Sequence, residues 1–319
     1  MRIVFNLMNH FNPFSGGISV MLSAMRILKK ADFHVCVYYY SYDEQKSIHF
    51  DLEKDFQILG FDDLDPKNDV VVVAEEFIWI AYDFLKQKGI KYVIFNQGIF
   101  ASLYSHNSYN EHKKSYQDAL AVLVNSIHTA NGVEKLFDVD QKNIFYYRIG
   151  IDTSLYYPEQ KENLATCLVY KNGNFVRFMN SYFADKYPDW KIKMIELLPK
   201  EETAALFRKS KIFLSFGGPE GFGLPPLEAA FCGCKVIGFH GEAGKEYFKE
   251  PVFTSVNFMD HLEFVDKLDV FMKHVDDANI KPYNDYIDYL KYFYSREKET
   301  ESIINFFIYI RDSFFRKNI

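Results

Sequence analysis

The stretch that most constrains the fold is Asp69-Val70-Val71-Val72-Val73-Ala74, an apolar run with no polar alternation after its first residue. A strand with one wet face alternates apolar and polar side chains. A strand that is apolar on both sides must be covered on both faces, which is the situation of an inner strand in a parallel sheet. Comparable short runs recur at Arg2-Ile3-Val4-Phe5-Asn6-Leu7, Phe33 to Tyr40, Tyr92-Val93-Ile94-Phe95-Asn96, Ala121-Val122-Leu123-Val124-Asn125 and Ile144-Phe145-Tyr146-Tyr147. Helical stretches lie between them, the first predicted from about Ile18 to Lys30 with an apolar stripe at Val20, Met21, Ala24 and Leu28. Strand and helix in alternation imply right-handed crossovers and a doubly wound sheet.

The pattern then runs a second time. A strand is predicted from Ala165 to Tyr170, a helix near Phe175 to Phe183, and a strand from Trp190 to Ile195. A helix around Thr203 to Ser210 follows, with Glu201 and Glu202 placed for its positive end. The last helix starts at Ser295, a good N-cap residue, and carries Ile303, Ile304, Phe307 and Ile310. A chain of 319 residues fits two domains of this kind. With 48% apolar and 18% aromatic residues it can bury two cores and is no candidate for disorder. A net charge of -6 and a pI near 5.9 leave no basic footprint for nucleic acid. Cys36, Cys167, Cys232 and Cys234 are too scattered for a disulfide framework, and Cys232-x-Cys234 lacks the second pair of a zinc site. No apolar run approaches a membrane span and the chain opens on a strand, so a cytoplasmic protein without signal peptide is expected.

Chemistry concentrates in Phe216-Gly217-Gly218-Pro219-Glu220-Gly221-Phe222-Gly223-Leu224-Pro225-Pro226-Leu227-Glu228-Ala229-Ala230. An apolar strand, Ile212 to Phe216, leads in; a helix and a second strand, Lys235 to Phe239, lead out. The glycine-rich loop offers bare main-chain N–H groups and the helix start a positive dipole end, both suited to a phosphate. Pro225 and Pro226 fit the first turn, with Glu228 expected at the start of the helix. Two carboxylates at the carboxyl end of a sheet strand, where open α/β sheets bind ligands, suit a polyol held by its phosphates. For either glutamate alone, ordinary dipole compensation is an adequate account; the run as a whole argues for a nucleoside diphosphate sugar.

From Glu220 to Gly233 the chain resembles the E-x7-E motif of retaining GT-B glycosyltransferases of the GT4 type, E-G-F-G-L-P-x-L-E-A-x-A-x-G. Gly238-Phe239-His240-Gly241-Glu242-Ala243-Gly244 resembles the loop that lies over the donor sugar in that family. The resemblance implies two Rossmann-like domains facing a central cleft. The expected domains are an acceptor-side one over 1–152, a nucleotide-sugar-binding one over 153–294, and a final helix, 295–319, packing back on the first. The linker Ile149-Gly150-Ile151-Asp152 to Pro158 resembles the family's hinge. By the same resemblance Glu228 holds the ribose hydroxyls, Glu220 the donor sugar, and the amides of Phe222, Gly223 and Leu224 the diphosphate. Lys171 and Asn172 match the last two residues of a P-R-K-N strand end that neutralises the leaving diphosphate. Tyr170 stands at its arginine position, with Arg177 or Arg148 as candidate replacements. Gly16-Gly17 resembles the glycine pair near the donor phosphate, and Gln97, in Asn96-Gln97-Gly98, sits where relatives place a histidine-aspartate pair.

Polar residues without a fixed role are Asn9, His10 and Asn12 in the first loop, Glu75-Glu76 as acceptor-side candidates, and His106, His112 and His128. The expected activity is a retaining, metal-independent hexosyl transfer from a nucleotide sugar to a glycan or lipid-linked glycan, in surface glycan biosynthesis. No cofactor beyond the donor is expected, and peripheral membrane association stays open. The alternatives are a sugar-nucleotide epimerase of the same fold and a non-catalytic sugar-nucleotide-binding partner subunit. A dinucleotide oxidoreductase is disfavoured because no G-x-G-x-x-G follows the first strand.

Overall fold

A computed structural model describes residues 1–7, 16–39, 52–103, 108–169, 173–276 and 280–316. The chain divides into two compact units, Met1–Ile149 with Glu297–Ile319, and Gly150–Arg296. Unit 1 runs β1 (Arg2–Leu7), α1 (Gly16–Lys30), β2 (His34–Tyr39), α2 (Leu52–Asp55), β3 (Gln57–Leu59), β4 (Asp69–Ala74), α3 (Ile78–Lys88), β5 (Lys91–Asn96), α4 (Ile99–Ser102), α5 (Tyr109–Gln117), β6 (Val122–Val124), α6 (Ile127–Phe137) and β7 (Ile144–Tyr146). Unit 2 runs β8 (Glu162–Leu168), α7 (Gly173–Lys186), β9 (Lys191–Ile195), α8 (Lys200–Lys209), β10 (Ser210–Ser215), α9 (Leu224–Phe231), β11 (Lys235–Phe239), β12 (Phe253–Val256), α10 (His261–His274) and α11 (Ile280–Phe293). From Glu297 onward the last helix, α12 (Arg296–Phe314), belongs to unit 1.

The unit 1 sheet has seven strands in the order β3-β2-β1-β4-β5-β6-β7, and the unit 2 sheet five in the order β12-β11-β10-β8-β9. Every strand pair in both is parallel. The valine run is the central β4, buried along its whole length as a doubly covered strand requires. Val4, Val71, Val73, Ile94 and Val124 pack with Ile78 and Leu85 of α3, Tyr116 of α5 and Val133 of α6. At the amino edge, Arg2 clasps Asp69 with Nε and Nη2, both bonds 2.7 Å, tying paired residues of β1 and β4. In unit 2, Cys167, Leu214, Ile237 and Val256 pack with Met179 and Phe183 of α7 and Leu268 of α10.

Helix boundaries follow local chemistry. α5 has a capping box in which Ser108 and Glu111 satisfy each other's main-chain amides. α3 ends at Gly89, left-handed at φ 64°, whose N–H closes on Leu85 and Lys86. α12 is fastened inside unit 1 by Glu299, 1% exposed, which accepts from Ser23 Oγ at 2.8 Å and from the Tyr147 hydroxyl. Phe145 packs edge-on against Phe306 and at a tilt against Tyr309 of the same helix.

Two sequence expectations need correction. Glu228 does not open its helix: with Gly223 as N-cap, α9 begins at Leu224, so Glu228 is its fifth residue, in the second turn. The first strand of unit 2 starts at Glu162 and ends at Leu168, not Ala165 to Tyr170, because Ser210 of β10 pairs back to Glu162.

Candidate functional site

Strand order fixes where a ligand can sit. In unit 2 the sequence of strands reverses between β8 and β10, and in unit 1 between β1 and β4. Ligands of open α/β sheets bind outside the carboxyl ends of the strands at such a reversal. In unit 2 that place is flanked by the end of β8 and by the loop that leaves β10 at Ser215 and reaches α9 at Leu224.

Glu220 occupies this loop with its carboxylate packed against glycine backbones. A Cβ placed on Gly217 would lie 2.9 Å from Glu220 Oε1, and one on Gly241 would lie 3.0 Å from its Cγ. The Glu220 main chain is itself paired, its N–H donating to Gly241 O at 3.0 Å in a single parallel bridge toward Glu242. The facing segment is strained. Glu242 sits at φ 64°, ψ -60°, and Ala243 N–H bonds Gly241 O at 2.8 Å, which together make a γ-turn centred on a non-glycine residue. Such backbone costs of order 1–3 kcal/mol and gathers at ligand-handling loops. His240 Nδ1 accepts the Glu242 N–H at 3.0 Å, so it carries no proton there, and Lys245 Nζ bridges to Glu242 at 2.6 Å.

The α9 start is capped by a glycine. Gly223 takes a left-handed conformation there, φ 83°, and has no side chain of its own to offer the first amides. Pro225 and Pro226 remove two of the donors a helix start normally leaves open, so the supply comes from Phe222, Gly223 and Leu224. The loop carbonyls are held from behind: the buried Tyr247 hydroxyl donates to Gly223 O and reaches Phe222 O at 3.3 Å. The Phe222 ring packs against Tyr247 and Tyr294. Behind Glu220 a void of 10 Å³ touches Leu168, Ser215 and Pro226, about the lower limit for one water.

Glu228, part-buried, meets the hydroxyl of Tyr156. Burial pushes its carboxyl group up from the ordinary glutamate range, while Lys200, the Tyr156 bond and Arg296 pull it down. Lys200 also lies over the Tyr156 ring, 5.5 Å from its centre. Sequence reasoning missed Tyr156, Lys200, Tyr247 and Arg296 because none sits in the motif; only the fold brings them beside it.

The other sequence candidates fall as follows. Lys171, Asn172 and Tyr170 lie outside the described residues, as do Asn9, His10, Asn12 and His106. Gly16 and Gly17 form the first turn of α1. Arg177 is paired with Glu196 at 2.8 Å and more than half exposed, while Arg148, in unit 1, lies over the Tyr146 ring. Gln97 follows β5, its carbonyl accepting from Asn125 Nδ2 at 2.8 Å. Glu75 is buried just past β4, and Glu76 beside it is exposed. His112 is buried edge-on between Tyr116 and Phe137, and His128 stacks on Phe100. Among the described residues, no three His, Cys, Asp or Glu side chains are grouped to hold a metal ion. No described helix is long and apolar enough to cross a membrane.

A cavity of 1210 Å³ in unit 2 lies elsewhere, under the amino ends of β10, β11 and β12, with Lys161, Lys211, Lys235 and Lys267 on its walls. Helix carboxyl ends gather at that edge of a parallel sheet, and the lysines are committed there. Lys161 Nζ donates to the carbonyls of Phe207, Ser210 and Cys232, and Lys235 Nζ to that of His274.

No family model and no curated protein matches the chain. Solved structures do. Sucrose-phosphate synthase from Thermosynechococcus elongatus superposes with a TM-score of 0.71 at 11% identity, over 98% of this chain and 99% of that one. Anabaena Alr3699/HepE in complex with UDP-glucose gives 0.70 at 11% identity, over 97% and 100%. A glycosyltransferase from Rickettsia africae ESF-5 gives 0.70 at 15% identity, over 98% of each. The chain has the GT-B architecture. In GT-B terms, unit 2 is the Rossmann-like domain that carries the Glu220 loop, and unit 1 is the amino-terminal one.

Proposed function

We propose that this protein is a retaining glycosyltransferase of GT4 type that moves a hexose from a nucleoside diphosphate donor to an acceptor hydroxyl, without a metal ion, in surface glycan assembly. One observation carries the reading: the Glu220 carboxylate, set among glycine backbones at the strand reversal of unit 2, stands beside a helix start whose N-cap is the left-handed Gly223. Support for the donor class comes from the UDP and UDP-glucose complexes of the similarly folded HepE.

In this mechanism the amides of Phe222, Gly223 and Leu224 and the dipole of α9 bind the diphosphate, with Lys171 and Asn172 contributing as the family resemblance implies. Glu228 takes the ribose hydroxyls, and Lys200 and Arg296 oppose the effect of burial on its carboxyl group. Glu220 holds hydroxyls of the donor sugar and stabilises positive charge at its anomeric carbon. The bond from that carbon to the diphosphate breaks, the acceptor oxygen bonds to the same face, and the leaving phosphate oxygen takes the acceptor proton. Gly16, Gly17 and Gln97 are assigned to the phosphate and sugar from unit 1. The acceptor is a glycan or a lipid-linked glycan.

A panel of UDP-, GDP- and ADP-sugars in a thermal-shift assay tests the donor, since a bound ligand raises the melting temperature by mass action. Product analysis with donor alone then separates transfer from epimerisation. Binding without turnover on any acceptor would leave only a sugar-nucleotide-binding subunit.

A further inference from the structure

The chain enters unit 2 at Gly150 and leaves it after Arg296. The two crossings are tied to each other within unit 2, because the Ile151 N–H donates to the Tyr294 carbonyl oxygen at 2.9 Å. Tyr294 stands just past α11, its own N–H closing on Leu290 O at 2.8 Å, and is 3% exposed. Its side chain reaches the loop that opens α9. The ring meets that of Phe222 with centres 5.3 Å apart and planes at 69°, and that of Tyr247 at 6.2 Å and 82°. Phe222 and Tyr247 also meet, at 5.5 Å, so three buried rings form a closed triangle. The Tyr294 hydroxyl donates to Glu246 Oε1 at 3.0 Å, and Glu246 ends the short helical turn that begins directly after the strained Glu242. One residue thus touches the α9 loop with its ring, the turn beside Glu220 with its hydroxyl, and the first crossing with its carbonyl.

We propose that Tyr294 is a positioning residue that couples occupancy of the α9 start to the paired crossings. Given the diphosphate reading of that start, on which this coupling rests, a nucleoside diphosphate steadies the Ile151–Tyr294 bond through the ring triangle. The anion draws the amides of Phe222 and Gly223 toward itself, and the Phe222 ring moves with its main chain. A close-packed interior has no empty space to absorb that shift, so it passes to the rings in contact. Tyr247 travels with the loop, since its hydroxyl is bonded to Gly223 O. Tyr294 is the member of the triangle whose main chain lies at the crossing. Its bond to Glu246 keeps the ring from tilting out of the way. A filled site therefore narrows the positions open to the Tyr294 carbonyl, and local opening of the Ile151 N–H becomes rarer.

The test is hydrogen–deuterium exchange of the full-length protein, read at the Ile151 amide with and without whichever of UDP, GDP and ADP raises the melting temperature. Bound nucleotide is expected to slow Ile151 exchange about tenfold in the wild type, an ordinary size for coupling between two sites. Tyr294→Leu keeps the carbonyl and loses ring and hydroxyl; it should bind nucleotide without that slowing. Tyr294→Phe keeps the ring and should retain most of the slowing. An Ile151 amide that bound nucleotide leaves unchanged in the wild type overturns the proposal. Slowing by the same factor in Tyr294→Leu, as a mere strut would allow, also overturns it. Should Tyr294→Leu not fold, Phe222→Leu takes its place with the same loss expected. If none of the three nucleotides binds, the diphosphate reading fails and the coupling with it, whereas binding without slowing defeats the coupling alone.

Discussion

The main-chain N–H of Glu220 donates to the carbonyl oxygen of Gly241 at 3.0 Å, and the same carbonyl closes the γ-turn over Glu242. One oxygen thus couples the position of the candidate sugar-binding acid to the most strained turn beside it. A change on either side is transmitted to the other.

Glu220→Gln should lower kcat/KM by roughly 10²-fold or more, the usual cost of removing a preorganised charge from a reacting centre, with an unchanged melting temperature. Gly241→Ala should lower it comparably without touching a polar group, because a Cβ there meets Glu220 Cγ at 3.0 Å on a backbone at φ 63°. Steady-state kinetics with thermal melts checks both. An active Gly241→Ala variant would show that the packing around Glu220 is slack.

Tyr247→Phe removes the hydroxyl that donates to Gly223 O. Losing one of the two donors on that buried carbonyl costs about 0.5–1.5 kcal/mol, and it falls on the residue that caps α9. Donor KM should rise several-fold with a smaller change in kcat, measured with saturating acceptor.

Stability should depend on pH through Glu75. Its folded-state carboxyl lies near 8 against an ordinary value of 4.5, so between those values the folded state binds more protons than the unfolded one. Stability from this group is therefore fully present below about pH 4.5 and is lost as pH rises toward 8, by roughly 3–5 kcal/mol at most. Urea denaturation at pH 6 and pH 8.5 should show a smaller difference for Glu75→Gln than for wild type.

Glu299→Ala should destabilise unit 1 by about 2–4 kcal/mol, since the part-buried hydroxyl of Ser23 and the buried one of Tyr147 lose their acceptor. The loss should appear in denaturant midpoints and in faster amide exchange along α12.

Much of the fold is legible in the sequence because its inner strands are short apolar runs that only a doubly covered parallel sheet accommodates; β4 is the clearest. The peripheral strands are not. Gln57–Leu59 is three residues long with no period to detect, and Phe253–Val256 holds polar Thr254 and Ser255. The proline pair reads as a helix start, which places Glu228 in a first turn. The left-handed Gly223 sets the start at Leu224 instead, leaving Glu228 one turn further on. Within the candidate site, the Glu220 loop announces itself through glycine and proline spacing. The Tyr247 hydroxyl and the Tyr156–Glu228 contact arise only from tertiary packing, and nothing near those tyrosines in the sequence marks them.

Lys161 has a consequence of another kind. Its amine gathers carbonyls from the tail of α8, the first residue of β10 and the tail of α9. Acetylating or carbamylating that one nitrogen would unbuckle three chain segments at a stroke, so the amino edge of the unit 2 sheet stands or falls with a single covalent event.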